Sequence, residues 1–213
     1  MSYSYMPVSI SMQGRKCLVV GGGRVALRKI DTLLNYEAEI TVIAPEVDDK
    51  IDFYAERGFL KLEKRLYKSP EAALFDLVIS AGDDNELNKQ VYDDCKGAGI
   101  PVNVVDNPPL CDFIFPAVLR RGCISVAVSS DGKAPFLSGH LRFILENMFE
   151  EKRWNKIAEY AAQFRKKVQN RWPDDSEKKT GCYSRFLDAD WKVLIKEKKE
   201  DEIEKMLNEM TEF

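Results

Sequence analysis

The residues with the plainest capacity for chemistry are the run Gly21-Gly22-Gly23-Arg24-Val25-Ala26. It fits the pattern G-x-G-x-x-A, in which Gly21 permits a tight turn, Gly23 lets backbone approach a pyrophosphate, and Ala26 lets a helix pack closely on a strand. A helix beginning at Arg24 would present free N–H groups and the positive end of its dipole to phosphate oxygens. The same residues also describe a tight left-handed turn with no ligand, so the reading depends on their setting. An apolar run precedes the glycines and an amphipathic stretch follows, opening a βαβ unit, and that setting points to a dinucleotide.

Further candidates stand where such a sheet would end its strands. The acidic residue that would bind the adenosine ribose is not at the tip of the second strand, which reads Ile43-Ala44-Pro45-Glu46. Glu46 is within reach of the ribose, and no arginine sits there to hold a 2′-phosphate, so NAD is expected over NADP. Ala81-Gly82-Asp83-Asp84 follows the fourth strand, making Gly82 and Asp83 cofactor contacts, while Asp83 or Asp84 equally suits a helix N-cap. Asn103-Val104-Val105-Asp106 puts a carboxylate after the fifth strand, on the same edge as the glycine turn. There Asp106 can accept a proton or orient a substrate N–H; the alternative is an Asx turn ahead of Pro108-Pro109.

The elements that must position these residues follow from periodicity. Residues 16–20 read as a strand, 24–35 as a helix with Val25, Ala26, Ile30, Leu33 and Leu34 at helical spacing, and 39–44 as a second, β-branched strand. Apolar runs at 59–62, 76–80 and 101–105 are separated by helical segments, the clearest being 84–98, which Gly97 and Gly99 are expected to end. The alternation predicts an α/β fold, a doubly wound parallel sheet of the Rossmann type, over 1–110. Residues 111–118 and 123–129 then read as two strands joined by an Arg120-Arg121-Gly122 turn, followed by a helix over 135–149, a small α+β module spanning 111–149. From 150 to 213 only helical stripes are evident: Trp154, Ile157, Ala158, Ala161, Phe164 and Val168, then Ile203, Met206, Leu207 and Met210.

Composition bounds the rest. With 213 residues, 45% hydrophobic and 31% charged, the chain can bury a full core. A net charge of −3 gives no general attraction for nucleic acid. No window of about 18 uncharged apolar residues offers a membrane span, and 1–12 lacks the pattern of a signal peptide, so a cytoplasmic protein is expected. Five scattered cysteines fit reduced thiols, and a single histidine, His140, leaves no zinc site to expect. His140, spaced with Leu137, Leu141 and Ile144, reads as a packed or surface residue.

Taken together, Gly-Gly-Gly-x-Val-Ala-x-Arg-Lys at 21–29, Asn-Val-Val-Asp at 103–106, Phe-Ile-x-Pro at 113–116 and Val-Ser-Ser-x-Gly-x-x-Pro at 128–135 resemble the precorrin-2 dehydrogenase and sirohydrochlorin ferrochelatase family. That family includes the N-terminal portion of bacterial siroheme synthase, and the resemblance covers roughly residues 7–149. It implies a homodimer with an NAD domain, a central dimerisation module and a C-terminal helical domain. It also implies a reaction in which precorrin-2 gives a hydride to NAD⁺ and a proton to its surroundings, yielding sirohydrochlorin, into which some members insert Fe²⁺. By position, Asp106 corresponds to the family's key aspartate, with Asn103 beside it, and Ser130 matches a serine near the active site that some members phosphorylate. The substrate that the resemblance implies is a polycarboxylate, so Arg120, Arg121, Lys133 and Arg142 are candidates to hold it through charge-assisted hydrogen bonds. The rival reading is a non-catalytic Rossmann module that senses NAD or NADH, which explains the glycine turn but not the company of Asp106 and the later loops.

Overall fold

The computed structural model describes residues 5–151, 153–197 and 199–212. The chain divides into two compact units, Met1–Phe115 and Pro116–Phe213, each described by itself.

The first unit is built on β1 (Lys16–Val20), whose last four residues are buried. Its neighbours are β2 (Glu39–Ile43) on one side and β4 (Leu77–Ser80) on the other, and β3 (Lys61–Glu63) and β5 (Val102–Val104) complete a five-stranded sheet in the order β3-β2-β1-β4-β5. Every pairing is parallel, with Val20 opposite both Ile43 and Ser80. Parallel strands need crossovers, which α1 (Arg24–Leu34), α2 (Asp49–Glu56) and α3 (Asn85–Ala98) supply between β1 and β2, β2 and β3, and β4 and β5. Between β3 and β4 stands only a 3₁₀ turn, Glu71–Leu74.

Side chains alternate between the sheet's two faces, so β1 feeds two cores. Cys17 and Val19 join Ala26, Ile30 and Leu33 of α1 on one face, whereas Leu18 and Val20 join Val91 and Cys95 of α3 on the other. The expected doubly wound sheet is therefore present.

Details differ from the sequence reading. Gly97 lies inside α3 on its exposed side, where a glycine weakens a helix without breaking it, and Gly99, with φ +71°, forms the left-handed cap. Of the expected strand over 111–118 only Ala117 and Val118 are strand, paired with Val128 and Ala127. Residue Cys111 makes a single antiparallel bridge to Asn103, the chain then leaves the ladder, and Phe113 and Phe115 pack against the first core cluster. Pro116 has no N–H to donate to a ladder, and strand structure resumes only after it.

The second unit opens with a hairpin of β6 (Ala117–Arg121) and β7 (Ile124–Val128), Ala117 opposite Val128. Arg120 and Arg121 belong to the strand rather than the turn, and Gly122, at φ +58°, supplies the left-handed residue the reversal needs. Helix α4 (Pro135–Glu151) packs on the hairpin. Helices α5 (Trp154–Arg171), α6 (Ser176–Asp188), α7 (Trp191–Glu197) and α8 (Glu200–Glu209) close around Phe164, Val168, Phe186, Trp191, Ile203 and Leu207. Both C-terminal stripes supply this core, and α6 and α7 add the Cys182, Phe186 and Trp191 that no long stripe announced. Among the described residues no helix is long and apolar enough to cross a membrane.

Candidate functional site

The carboxyl ends of β1 and β4 are the point where the chain departs in opposite directions, toward α1 and α3. A crevice must open there, and in open α/β sheets ligands collect in it. The cleft measures about 650 Å³. Gly21, Gly23, Arg24, Val25, Glu46, Gly82 and Asp83, the seven residues proposed from sequence as cofactor contacts, all line it.

Each wall has a local cause. Gly21 stands at φ +114°, and a Cβ there would lie 2.7 Å from the Ala81 carbonyl carbon, because the backbone after β4 lies directly against the turn after β1. Gly22 is tighter still: a Cβ would meet the Glu46 carbonyl oxygen at 2.2 Å and Val47 Cγ1 at 2.6 Å. The segment after β2 crosses directly over Gly22 and is tied to it by Asp48 N–H donating to the Gly22 carbonyl at 2.8 Å. Gly23 differs, since a Cβ there meets nothing within 4 Å and would project into open space. It is the N-cap of α1 and offers no capping side chain, so the first amides of the helix stay available to an anion.

On the β4 side the loop is held from below. Ser80 Oγ donates to Asn88 Oδ1 at 2.6 Å, and Asn88 Nδ2 donates to the Gly82 carbonyl at 2.9 Å, both Ser80 and Asn88 being buried. Asp84 is the N-cap of α3, accepting from the Glu86 and Leu87 amides, which leaves Asp83 exposed on the cleft. Asn88 was not singled out by sequence; an asparagine four residues into a helix carries no local signal.

A second arginine lines the cleft beside Arg24, one that the sequence reading did not single out. Arg65 arrives from the end of β3, the neighbouring strand, rather than from the tip of β2. Its guanidinium is bound to Glu63 and, at 2.7 Å, to Glu71. Lys61 and Arg65 hold the Glu63 carboxyl below its ordinary value, and Arg65 does the same for Glu71. The positive charge is thus balanced in place.

Asp106 follows β5 at the same edge of the sheet but does not line this cleft. It sits at φ +57°, a conformation that aspartate tolerates better than most residues, and its exposed carboxylate accepts no hydrogen bond among the described residues. An Asx turn is therefore not formed. Asn103 is buried, and its amide donates to the Phe113 carbonyl at 2.9 Å, clamping the segment after Asp106 onto β5. Cys111 Sγ points at the Val104 carbonyl, and burial raises the thiol's pKa. Lys29, on α1, completes this corner with its ammonium 4.1 Å from the centre of the Phe115 ring.

The remaining candidates lie in the second unit. Ser130 is half-buried, and its Oγ accepts from the Ala134 amide, ordering the loop that leads into α4. Lys133 is exposed beside it. Arg121 donates to Glu146 at 2.8 Å and Glu150 at 2.9 Å, while Arg142 binds the other oxygen of Glu146 at 2.5 Å. Arg120 is exposed on β6.

Comparison with known proteins adds three findings. A family model described as "Putative NAD(P)-binding" matches residues 8–117. The siroheme synthase of Methylococcus capsulatus is 39% identical over 170 residues, 80% of this chain and 36% of that protein, and the siroheme synthase of Pseudoalteromonas atlantica is 35% identical over 205 residues, 96% of this chain and 44% of that one. The chain thus spans less than half the length of these relatives. A solved structure titled "SirC, precorrin-2 dehydrogenase" shares the fold, with a TM-score of 0.77 at 24% identity over 96% of this chain and 100% of that one.

Proposed function

Because this chain belongs to the NAD(P)-binding family whose model spans residues 8–117, we propose that it oxidises precorrin-2 to sirohydrochlorin with NAD⁺. The observation that carries this reading is one edge of one sheet, which bears both a glycine-walled dinucleotide cleft and an exposed, unbonded carboxylate, Asp106. Relatives named siroheme synthase along most of the chain and a precorrin-2 dehydrogenase of the same fold support it.

The cleft fits the cofactor on its own geometry. Gly22 and Gly21 let backbone close to van der Waals distance around the turn, and Gly23 leaves the start of α1 bare for a pyrophosphate. Glu46 stands where ribose hydroxyls would be bound, and Arg65, already neutralised by Glu63 and Glu71, offers no unbalanced charge for a 2′-phosphate, which supports NAD over NADP. When bound, NAD⁺ supplies the hydride acceptor. The chain's part is to hold the substrate and take the accompanying proton, for which Asp106 is placed as base, with Asn103 fixing the loop around it. Asp106 is also the group that would collect pyrrole protons if Fe²⁺ were inserted.

A homodimer belongs to the same proposal. Leu137, Leu141, Ile144 and Met148 recur at helical spacing along α4 and are all exposed, with Phe136 and Phe143 beside them. An apolar stripe of this length on a helix face is characteristic of an interface. A cytoplasmic location and the absence of a nucleic-acid partner complete the reading.

The test is an anaerobic assay with precorrin-2 and NAD⁺, following NADH and sirohydrochlorin, then adding Fe²⁺. NADH formed together with sirohydrochlorin supports the dehydrogenase, and a metal-dependent rate above a protein-free control adds chelation. NAD binding without NADH formation would replace this reading with the sensing module.

A further inference from the structure

The motif at 21–29 ends in Arg28 and Lys29, two cations that do not line the glycine-walled cleft. Several other cations of the unit are held by carboxylates, and Lys16, Arg24, Arg57 and Lys68, which have no ion pair among the described residues, are exposed to solvent. Lys50 is paired with Asp31, Lys64 with Asp52, Lys96 with Asp112 and Arg65 with two glutamates. Arg28 and Lys29 have no ion pair and no side-chain hydrogen bond among the described residues. For Arg28, which is exposed, water serves. Lys29 is half-buried, its ammonium seated on the Phe115 ring at 4.1 Å, so it is fixed in direction and partly stripped of solvent.

We propose that Lys29, seated on Phe115 and assisted by Arg28, is a subsite for one carboxylate of the tetrapyrrole substrate, placing it beside Asp106. This rests on the dehydrogenase reading above. Burial and the neighbouring Arg28 lower the Lys29 pKa, while Asp106 and Cys111 oppose them, so Asp106 is near enough to feel the ammonium but does not satisfy it. An arriving carboxylate would supply the missing acceptor and offset the repulsion between the two cations. The pyrophosphate of NAD is a second possible anion, but Lys29 lies five residues beyond the start of α1, about 7.5 Å along the helix axis. The cations on β6 and α4 are poorer candidates, because Arg121 and Arg142 already share Glu146.

The experiment measures binding of sirohydrochlorin, its fully methyl-esterified form, and NAD⁺ to the full chain and to Lys29→Met, Lys29→Arg and Arg28→Gln, with a melting curve for each. Lys29→Met is expected to weaken sirohydrochlorin by about tenfold or more, the effect of losing one charged hydrogen bond, while NAD⁺ affinity stays within about twofold. Lys29→Arg should retain most of the affinity, and the ester should bind wild type and Lys29→Met alike. Unchanged sirohydrochlorin binding in Lys29→Met overturns the subsite, and an equal loss of NAD⁺ transfers it to the pyrophosphate. If Lys29→Met does not fold, Arg28→Gln decides, since its exposed side chain carries no core packing: a severalfold loss for sirohydrochlorin alone supports the subsite and no loss overturns it. Wild type that binds NAD⁺ but not sirohydrochlorin removes the dehydrogenase reading itself, a result distinct from all of these.

Discussion

Replacing Gly22 and Gly23 separately by alanine should divide folding from binding at two adjacent residues. At Gly22 the new methyl would stand 2.2 Å from the Glu46 carbonyl oxygen and 2.8 Å from Val47 Cα, both backbone atoms. To reach ordinary contact the crossing segment must retreat by more than an ångström, stretching the Asp48 to Gly22 hydrogen bond. Overpacking of this kind costs about 1–3 kcal/mol, and for a chain of this size that corresponds to a melting temperature lower by roughly 2–12 °C. The same retreat moves Glu46 and Val47, which line the cleft, so NAD⁺ affinity should fall by about tenfold or more. At Gly23 the methyl meets no atom within 4 Å, so the ligand-free protein should melt within about 2 °C of wild type while NAD⁺ affinity still falls, because the methyl occupies the space the pyrophosphate needs. Differential scanning fluorimetry without ligand and calorimetric titration with NAD⁺ separate the two quantities. Wild-type melting in Gly22→Ala would show that the segment after β2 does not cross the turn as described. Unchanged NAD⁺ affinity in both variants would remove the cofactor from the glycine turn altogether.

Three further outcomes are expected. Asp106→Asn, which keeps a residue tolerant of positive φ, should lower turnover by about 10²–10⁴ with NAD⁺ affinity intact, and a wild-type rate in steady-state assay would take Asp106 out of the mechanism. Asn88→Ala leaves the Ser80 hydroxyl and the Gly82 carbonyl without their partner, so it should cost about 1–3 kcal/mol in denaturant titration and loosen the Asp83 side of the cleft; full stability with full affinity would refute the positioning role. The thiols should separate by reactivity, exposed Cys123 labelling first and buried Cys17 and Cys95 only on unfolding. Burial raises Cys17 to about 11 and Cys95 to about 12 from an ordinary 9.0. Unfolded thiols therefore ionise first, and this contribution to stability is complete below pH 9 and lost as pH rises through the folded values. A melting temperature indifferent to alkali in the wild type but not in a Cys17→Ala, Cys95→Ala variant would contradict that assignment.

The sheet was legible because its signals are local. β1, α1 and β2 each carry the right period over their whole length, and the glycines sit where a strand must become a helix. What was missed is non-local. The pattern G-x-G-x-x-A leaves Gly22 as a variable position, yet Gly22 is the tightest of the three, because a segment more than twenty residues away crosses it. Arg65 entered the cleft from a strand whose sheet position only the pairing order reveals. The run Phe113-Ile114-Phe115 has strand composition, but its rings are drawn into the core of the first unit and Pro116 ends any ladder.

Charge shows the same limit more sharply, because what a cation can do depends on what already holds it. Arg121 and Arg142 have the residue type for gripping a polycarboxylate, but each is bound to Glu146, and Arg121 to Glu150 as well. A substrate carboxylate reaching either must displace a protein carboxylate of the same strength, an exchange with little net free energy. Lys29 carries the same charge with a less suitable head group, yet a carboxylate arriving there displaces nothing and ends a solvation deficit. A list of basic residues ranks these cations in the wrong order for affinity. The order reverses once their partners are known, so affinity for the substrate should follow the unpaired ammonium rather than the paired guanidinium groups.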